Sequence, residues 1–224
     1  FVIDYLKERY NLQEQIIKAW VIHTISKGES AIDEIIGEME TYSNPTVGLV
    51  AYPNQTDIRV TAKAASSAEA DSLMRPVVEE IRRRLGDYIY GENETTLEAV
   101  IVRMLKEKKL RLAIVESGTK SEISNKLTLH ANNDIIRSEH LDSYISDETL
   151  KSFMAEFAEL NQADLVLGVP LSNDGQTQTL YQALLDKDSF WEDQRDYSGP
   201  LGDGLRWAFN TSLDSVRRKI IHTR

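Results

Sequence analysis

The 224-residue sequence contains no cysteine, so it has no disulfide, no thiolate zinc ligand and no cysteine nucleophile. It also lacks an apolar run long enough to span a bilayer and a signal peptide at its start, so we expect a cytoplasmic protein with no membrane partner. Acidic side chains outnumber basic ones, 36 to 26, and the net charge of −10 argues against a nucleic-acid partner. The length predicts one or two domains, and the hydrophobic fraction of 41% is enough for a packed core.

Residues 1–94 are predicted to form a small α+β domain with the order β-α-β-β-α-β, because apolar residues follow strand and helix periods in turn. The predicted strands cover residues 17–26, 46–51, 58–64 and 88–90, and the predicted helices cover residues 29–39 and 66–85. Pro76 inside the second helix predicts a kink or a later helix start. The run Arg82 to Arg84 is interpreted as a solvated helix end, because this half of the chain is acidic overall.

Residues 95–224 are predicted to form a second domain, with residues 91–94 as the linker. Helices alternate with buried strands, so we expect an α/β domain with a mostly parallel sheet. The predicted helices cover residues 95–108, 147–160 after a cap at Ser146, and 205–220, and the predicted strands cover residues 110–115, 163–169 and 177–185. We expect residues 130–143 to be irregular and residues 168–175 to form a polar loop.

The stretch ESGTKS at residues 116–121 is predicted to be a turn between a buried strand and a helix. The first turn of a helix has unpaired N–H groups and the positive end of the dipole, which bind phosphate or carboxylate or stabilise an oxyanion. Ser117 is either a nucleophile or, together with Thr119, a helix cap, and the local pattern leaves both interpretations open. The polar loop at 168–175 ends a neighbouring strand, so both segments are expected at the ligand-binding edge of the sheet.

Three segments of the first domain are distinctive: SNPTVG at 43–48, TAKA at 61–64 and IRRRLGDYIYG at 81–91. They resemble the middle domain of the CinA family, also called competence- and damage-inducible protein A. Past residue 91, the helix from Thr95, the run LAIVES at 112–117 and the tail around Arg206 are similar to the family's C-terminal domain. The resemblance implies that the family's N-terminal domain, which resembles molybdopterin-binding proteins and hydrolyses ADP-ribose, would precede Phe1.

The resemblance also implies an activity. The family's C-terminal domain deamidates nicotinamide mononucleotide, and its nucleophile is the serine of an E-S-C-T-G-G turn, which corresponds to Ser117. Apart from this resemblance, Lys120 follows Ser117 with the S-x-x-K spacing of serine β-lactamases, so Lys120 is either a weak candidate base or a solvated surface charge. We expect neither a metal nor a cofactor, and we expect the protein to form a homodimer. The candidate ligand-binding residues for a nucleotide of this kind are Gly118, Thr119, Ser121, Ser172 and Arg206.

The sequence departs from the family pattern at several points. Lys120 and Ser121 stand where the family has two glycines, and the Y-S-N-x-x-K segment that assists the serine has no counterpart. The T-G-I-A-G-P-G-G loop has become GVPLSNDG, and the G-D-R near the last helix has become GDG. Two classes of function therefore stay open: an amidohydrolase with weak or no activity, or a non-catalytic domain that binds a nucleotide or assembles a dimer.

Overall fold

The computed structural model describes residues 2–9, 15–131, 134–141 and 147–222. The chain is a mixed α/β protein with two sheets and divides into two compact units, Phe1–Glu94 and Thr95–Arg224. Among the described helices, the two longest have 19 residues, and none is apolar enough to cross a membrane.

The first unit contains one four-stranded antiparallel sheet with the strand order β2-β3-β1-β4. The strands and helices from β1 to β4 follow the predicted order β-α-β-β-α-β. Its elements are α1 (Val2–Arg9), β1 (Ile16–Ile25), α2 (Glu29–Ile36), a 3-10 helix (Gly37–Thr41), β2 (Thr46–Tyr52), β3 (Gln55–Ala64), α3 (Ser67–Leu85), a second 3-10 helix (Gly86–Tyr88) and β4 (Ile89–Glu92).

The core of the first unit lies between the sheet and the helices α2 and α3. Every second residue of β3 from Ile58 to Ala64 is buried, as the period of a strand with one covered face requires. Helix α3 begins where Ser66 Oγ accepts from Glu69 N at 3.2 Å, and Glu69 Oε2 accepts from Ala65 N at 2.9 Å. This reciprocal cap fixes the helix start ahead of Pro76, so the predicted late start is wrong.

The second unit contains one five-stranded sheet with the strand order β6-β5-β7-β8-β9. Helix α6 packs on the face of the sheet that carries Ala113 and Val115, and α7 packs on β7 and β8. Its elements are α4 (Leu97–Lys108), β5 (Leu112–Ser117), α5 (Glu122–Thr128), β6 (Ile136–His140), α6 (Asp147–Asn161), β7 (Leu165–Asn173), β8 (Gln178–Asp186), β9 (Phe190–Tyr197), a 3-10 helix (Leu201–Asp203) and α7 (Gly204–His222).

The prediction of a mostly parallel sheet is confirmed only in part, because the sheet is mixed. β5 runs parallel to β6 and β7, whereas β7–β8 and β8–β9 are antiparallel pairs. The connections from β7 to β8 and from β8 to β9 are only a few residues long. Such connections make hairpins, because a parallel pair needs a crossover of a dozen or more residues.

Three further parts of the second unit differ from the prediction. β6 lies within the segment expected to be irregular, β9 was not predicted, and β7 continues to Asn173 through most of the predicted polar loop. β6 and β9 are edge strands whose residues are mostly exposed and polar, so they lack the apolar alternation that identifies a strand. The predicted cap Ser146 lies outside the described residues.

Candidate functional site

The candidate site is the segment that follows β5. All six residues of β5 are buried, and its last residue, Ser117, lies beside Pro170 of β7. Helix α5 begins only at Glu122. Ser117 is therefore the last residue of a strand. The sequence-based prediction that it lies over the first turn of the helix is wrong.

The segment is held by the buried carboxylate of Glu116, which is 1% exposed. Glu116 Oε2 accepts a hydrogen bond from Thr119 Oγ1 at 2.5 Å, and Oε1 accepts from Ser124 N at 3.2 Å and from the Ser124 hydroxyl. The Glu116 backbone oxygen accepts from Leu141 N at 2.9 Å. A buried carboxylate is tolerated only with such partners, so Glu116 ties the turn and helix α5 to the end of β5.

The helix-cap interpretation of Ser117 and Thr119 is wrong. The Thr119 hydroxyl donates to Glu116, and the residue at the cap position of α5 is Ser121, whose side chain makes no capping bond. Glu116 and Ser124 were missed as members of this site. The available signal was an ionisable residue at the end of a buried apolar run with hydroxyl residues shortly after it.

The backbone of the turn has a positive φ at three residues, Gly118, Lys120 and Ser121. Gly118 has φ +71°, and a Cβ built there would lie 1.9 Å from the backbone oxygen of Leu171. Lys120 and Ser121 have φ +55° and +57°, in the left-handed region that costs a residue with a side chain about 1–2 kcal/mol. The turn thus has glycine-like geometry at two positions that carry side chains, and it contacts β7 closely at Gly118.

The Ser117 hydroxyl is buried, and no base among the described residues bonds to it. Ser117 is 3% exposed, and its Oγ has no hydrogen-bond partner within the described parts of the chain. The two lysines of this region therefore do not reach it: Lys120 is exposed, and Lys126 Nζ pairs with Glu122 at 2.9 Å and lies 4.3 Å above the ring of Phe209.

Ser172 and Arg206, the more distant predicted ligand residues, lie on other elements. Ser172 is an exposed residue of β7, next to the Leu171 that Gly118 contacts, and its hydroxyl donates to Thr179 O at 3.4 Å. Arg206 is exposed in the first turn of α7. The first residue of α7, Gly204, packs closely against the side chain of Gln178. A Cβ at Gly204 would lie only 1.4 Å from Gln178 Oε1. The structure thus places the ESGTKS turn beside Ser172, and Arg206 at the start of a helix that packs on the β7–β8 hairpin.

No group of three or more histidine, aspartate and glutamate side chains that could hold a metal ion occurs among residues 2–9, 15–131, 134–141 and 147–222. The candidate site therefore contains the buried Ser117 hydroxyl, the Glu116 carboxylate that anchors the turn, and the exposed side chains of Lys120 and Arg206.

The arginine run at the end of α3 pairs with carboxylates. Arg82 makes two bonds to Glu92, at 2.6 and 2.7 Å, and Arg83 and Arg84 both bond to Glu80. The hydrogen bonds from Arg83, then Arg84, lower the pKa of Glu80 to about 2. These guanidinium groups are engaged with acidic side chains of the same unit, in line with the interpretation of a solvated helix end.

Comparison with known proteins gives a consistent pattern. The family model for the KH domain of damage-inducible protein CinA matches residues 20–91. A CinA-like protein from Dictyoglomus thermophilum is 41% identical over 128 residues, which are 57% of this chain and 30% of that protein. A putative competence-damage inducible protein from Alkaliphilus oremlandii is 33% identical over 151 residues, 67% of this chain and 36% of that protein. The chain thus spans about a third of the length of these curated relatives.

Among solved structures, a competence-damaged protein (CinA) superfamily protein from Klebsiella pneumoniae is 15% identical with a TM-score of 0.48. The superposition covers 57% of this chain and 97% of that one. Similarity at this level assigns no function.

Proposed function

We propose, from the similarity of the chain to CinA proteins, that its second unit is a deamidase-like domain that converts nicotinamide mononucleotide slowly or not at all. The proposal covers the second unit alone. Homodimer assembly and the absence of a cofactor stay predictions from the sequence.

The support for a deamidase-like domain is the geometry around Glu116 and Ser117. A buried strand ends in these two residues, and the turn that follows adopts left-handed backbone at Lys120 and Ser121, the positions where the family pattern has glycines. The turn keeps this conformation although each of the two side chains makes it costlier. We infer that the backbone conformation of the family's turn is kept, whereas the side chains needed for the reaction have changed.

The observation that carries the loss of activity is the environment of Ser117 Oγ. A serine hydroxyl becomes an effective nucleophile when an adjacent base accepts its proton, and one positioned base is worth about 10²–10⁴ in rate. Ser117 Oγ has no such partner among the described residues. A substrate carbonyl must also reach this atom, and only 3% of Ser117 is exposed. These two observations on the described residues support the proposal that Ser117 does not attack an amide efficiently.

Nucleotide binding without turnover is the second candidate function. The side chains of Lys120 and Arg206 are exposed, and a cationic group pairs well with a phosphate. Because binding needs neither a base nor access to Ser117 Oγ, we propose that any affinity for the nucleotide outlasts the reaction.

An ammonia-release assay with nicotinamide mononucleotide tests the proposal. Ser212 is a matched control, because its hydroxyl is also buried in the second unit and also has no partner among the described residues. We expect the unmodified chain to turn over more slowly than about 1 s⁻¹, the low end for ordinary enzymes. We also expect Ser117→Ala and Ser212→Ala to leave this rate unchanged.

The proposal fails if the chain turns over at about 1–10³ s⁻¹ and Ser117→Ala alone abolishes that rate. Calorimetric titration with the same nucleotide separates the second candidate. Binding that Lys120→Ala weakens and Ser117→Ala does not would support it, and the absence of heat at millimolar nucleotide would exclude it.

A further inference from the structure

His23 in the first unit is hydrogen bonded at both ring nitrogens. It lies on β1, where the pairing with β4 shifts register between His23 and Thr24. Its Nδ1 is 2.8 Å from Asp57 Oδ1, and its Nε2 is 2.7 Å from the backbone oxygen of Asn93. The side chains of His23 and Asp57 are only 11% and 16% exposed, so water competes little for these bonds.

Both partners of the ring are acceptors. A backbone carbonyl cannot donate, and Asp57 Oδ1 already accepts from Gln55 Nε2 at 2.8 Å. A neutral imidazole carries one N–H, whereas the imidazolium carries two. The geometry therefore requires the protonated form of His23, with one N–H directed at the carboxylate and the other at the carbonyl.

The carbonyl that His23 binds belongs to Asn93, which links the end of the first unit to β1 by hydrogen bonds. Asn93 directly follows β4, and its N–H donates to Val21 O at 2.8 Å. Its side-chain Oδ1 accepts from Val21 N at 3.1 Å. Asn93 is thus joined to β1 through its amide, its side chain and its carbonyl, and of these links only the carbonyl bond has a titratable donor.

We propose that His23 is a proton-operated clasp, which fastens Asn93 to β1 while the ring is protonated and releases the Asn93 carbonyl when the ring loses a proton. On deprotonation one N–H is kept. A carboxylate accepts more strongly than a carbonyl, so the hydrogen stays on Nδ1, facing Asp57. Nε2 then turns a lone pair toward the Asn93 oxygen, and this bond becomes a repulsive contact.

The charges around His23 favour the protonated ring. Asp57 faces it from β3 and Glu92 from β4, while the ring of Tyr90, also on β4, is stacked at 5.5 Å. Glu92 is itself bonded by Arg82 and Trp20. Burial lowers the pKa of His23, but the hydrogen bonds to Asp57 and to the Asn93 carbonyl, with the charges of Asp57 and Glu92, raise it above 6.5 overall.

The sign of the pH dependence follows from that raised pKa. The clasp contributes its full stability below the pKa of an unfolded histidine, about 6.5. This contribution is lost as the pH rises through the higher pKa of the folded state. The attachment of Asn93 should therefore weaken as the pH rises above 6.5 and through the raised pKa, while the rest of the sheet is unaffected.

The test combines a nuclear magnetic resonance titration of the histidine rings with hydrogen exchange at the Asn93 amide, corrected for the intrinsic effect of pH. We expect His23 to titrate above pH 6.5. Protection of the Asn93 amide should fall through the same midpoint, by about tenfold for each pKa unit above the free value. Amides of β3 serve as the internal reference and should not change.

Two variants separate the clasp from a merely structural contact. His23→Gln should remove the pH dependence of Asn93 protection, whereas His140→Gln, at an exposed position of the second unit, should leave it intact. Asp57→Asn should lower the midpoint of His23 toward 6.5, and it provides the test if His23→Gln does not fold. A midpoint at or below 6.5 in the unmodified chain, or Asn93 protection that does not follow the midpoint, overturns the proposal.

Discussion

In the first unit carboxylates pair with guanidinium groups near the surface, as Glu80 does with Arg83 and Arg84. In the second unit Glu116 and Asp214 are buried, and so are their respective partners Thr119 and Arg217. The buried polar side chains of the first unit, within the described residues, are Thr24, Gln55 and Thr56. Those of the second unit are Glu116, Ser117, Thr119, Ser124, Gln178, Gln182, Asn210, Thr211, Ser212, Asp214 and Arg217.

This difference decides how each unit responds to substitution. An exposed ion pair adds little stability, because solvent and salt screen it. A buried polar group is costly as soon as it loses a partner. The second unit therefore depends on particular pairs of residues, and the largest effects are expected where those pairs hold the ESGTKS turn.

The largest effect is expected for Gly118→Ala. The new Cβ would lie 1.9 Å from the Leu171 oxygen at φ +71°, so both the turn and β7 must move. We expect a loss of about 3 kcal/mol or more in urea unfolding. Gly48→Ala in β2 is the control, because no atom lies within 4 Å of its Cβ position, and it should change stability by less than about 1 kcal/mol. If the two variants lost the same stability, the close contact between the turn and β7 would not contribute to the stability of the second unit.

Glu116→Ala should have the next largest effect. It leaves Thr119 Oγ1 and both donors of Ser124 without their buried acceptor, at a cost of about 3 kcal/mol. Glu80→Ala removes a carboxylate from the first unit that also binds three donors but lies at the surface, and it should change stability much less. Urea unfolding of both variants gives the comparison, and a smaller loss for Glu116→Ala would contradict it.

Relief of the left-handed backbone should stabilise the second unit slightly. Lys120→Gly and Ser121→Gly each remove a cost of about 1–2 kcal/mol, less the entropy of the added glycine, so a net gain of about 0.5–1 kcal/mol is expected. Asn54→Gly at φ +56° in the first unit should give a smaller gain, since asparagine tolerates this conformation better. Thermal unfolding can resolve the gain, and a loss at Lys120 would mean that its side chain makes a stabilising contact.

An effect of similar size is expected at Asp186, and it depends on acid pH. Burial raises the pKa of Asp186, but bonds from Lys219, from Ser189 and from the Asp188 amide lower it to about 2. A depressed pKa gives stability that is complete above the unfolded value of about 3.9 and is lost as the pH falls through 2. Unfolding at pH 6 and pH 2 should show a loss that Asp186→Asn reduces by about 1 kcal/mol, because solvent screens part of the interaction. If Asp186→Asn lost as much stability between pH 6 and pH 2 as the unmodified chain, groups other than Asp186 would cause the acid dependence.

Much of the fold could be predicted because local patterns coincide with burial. The alternation in β3, the capping residues Ser66 and Glu69 of α3 and the apolar run of β5 each identify their element directly. The polar edge strands β6 and β9 could not be predicted, because their partners, rather than their own periodicity, make them strands.

The candidate site was predictable only in outline. Ser117 could be placed after a buried strand, but its burial depends on the continuation of β7 past Pro170, which brings Leu171 against Gly118. The role of Glu116 depends on Ser124, eight residues later, meeting it in space. Such contacts come from the tertiary structure and have no periodic pattern in the sequence.

The most direct measurement of the central claim uses the double variant Lys120→Gly/Ser121→Gly in the ammonia-release assay with nicotinamide mononucleotide. This variant restores the two glycines of the family's turn and leaves the environment of Ser117 Oγ otherwise as it is. If the reaction is limited because no base among the described residues bonds to Ser117 Oγ, release stays slower than about 1 s⁻¹ although the turn has been restored. Turnover at about 1–10³ s⁻¹ that a further Ser117→Ala substitution abolishes would contradict the account, because the two side chains alone would then have blocked a complete site.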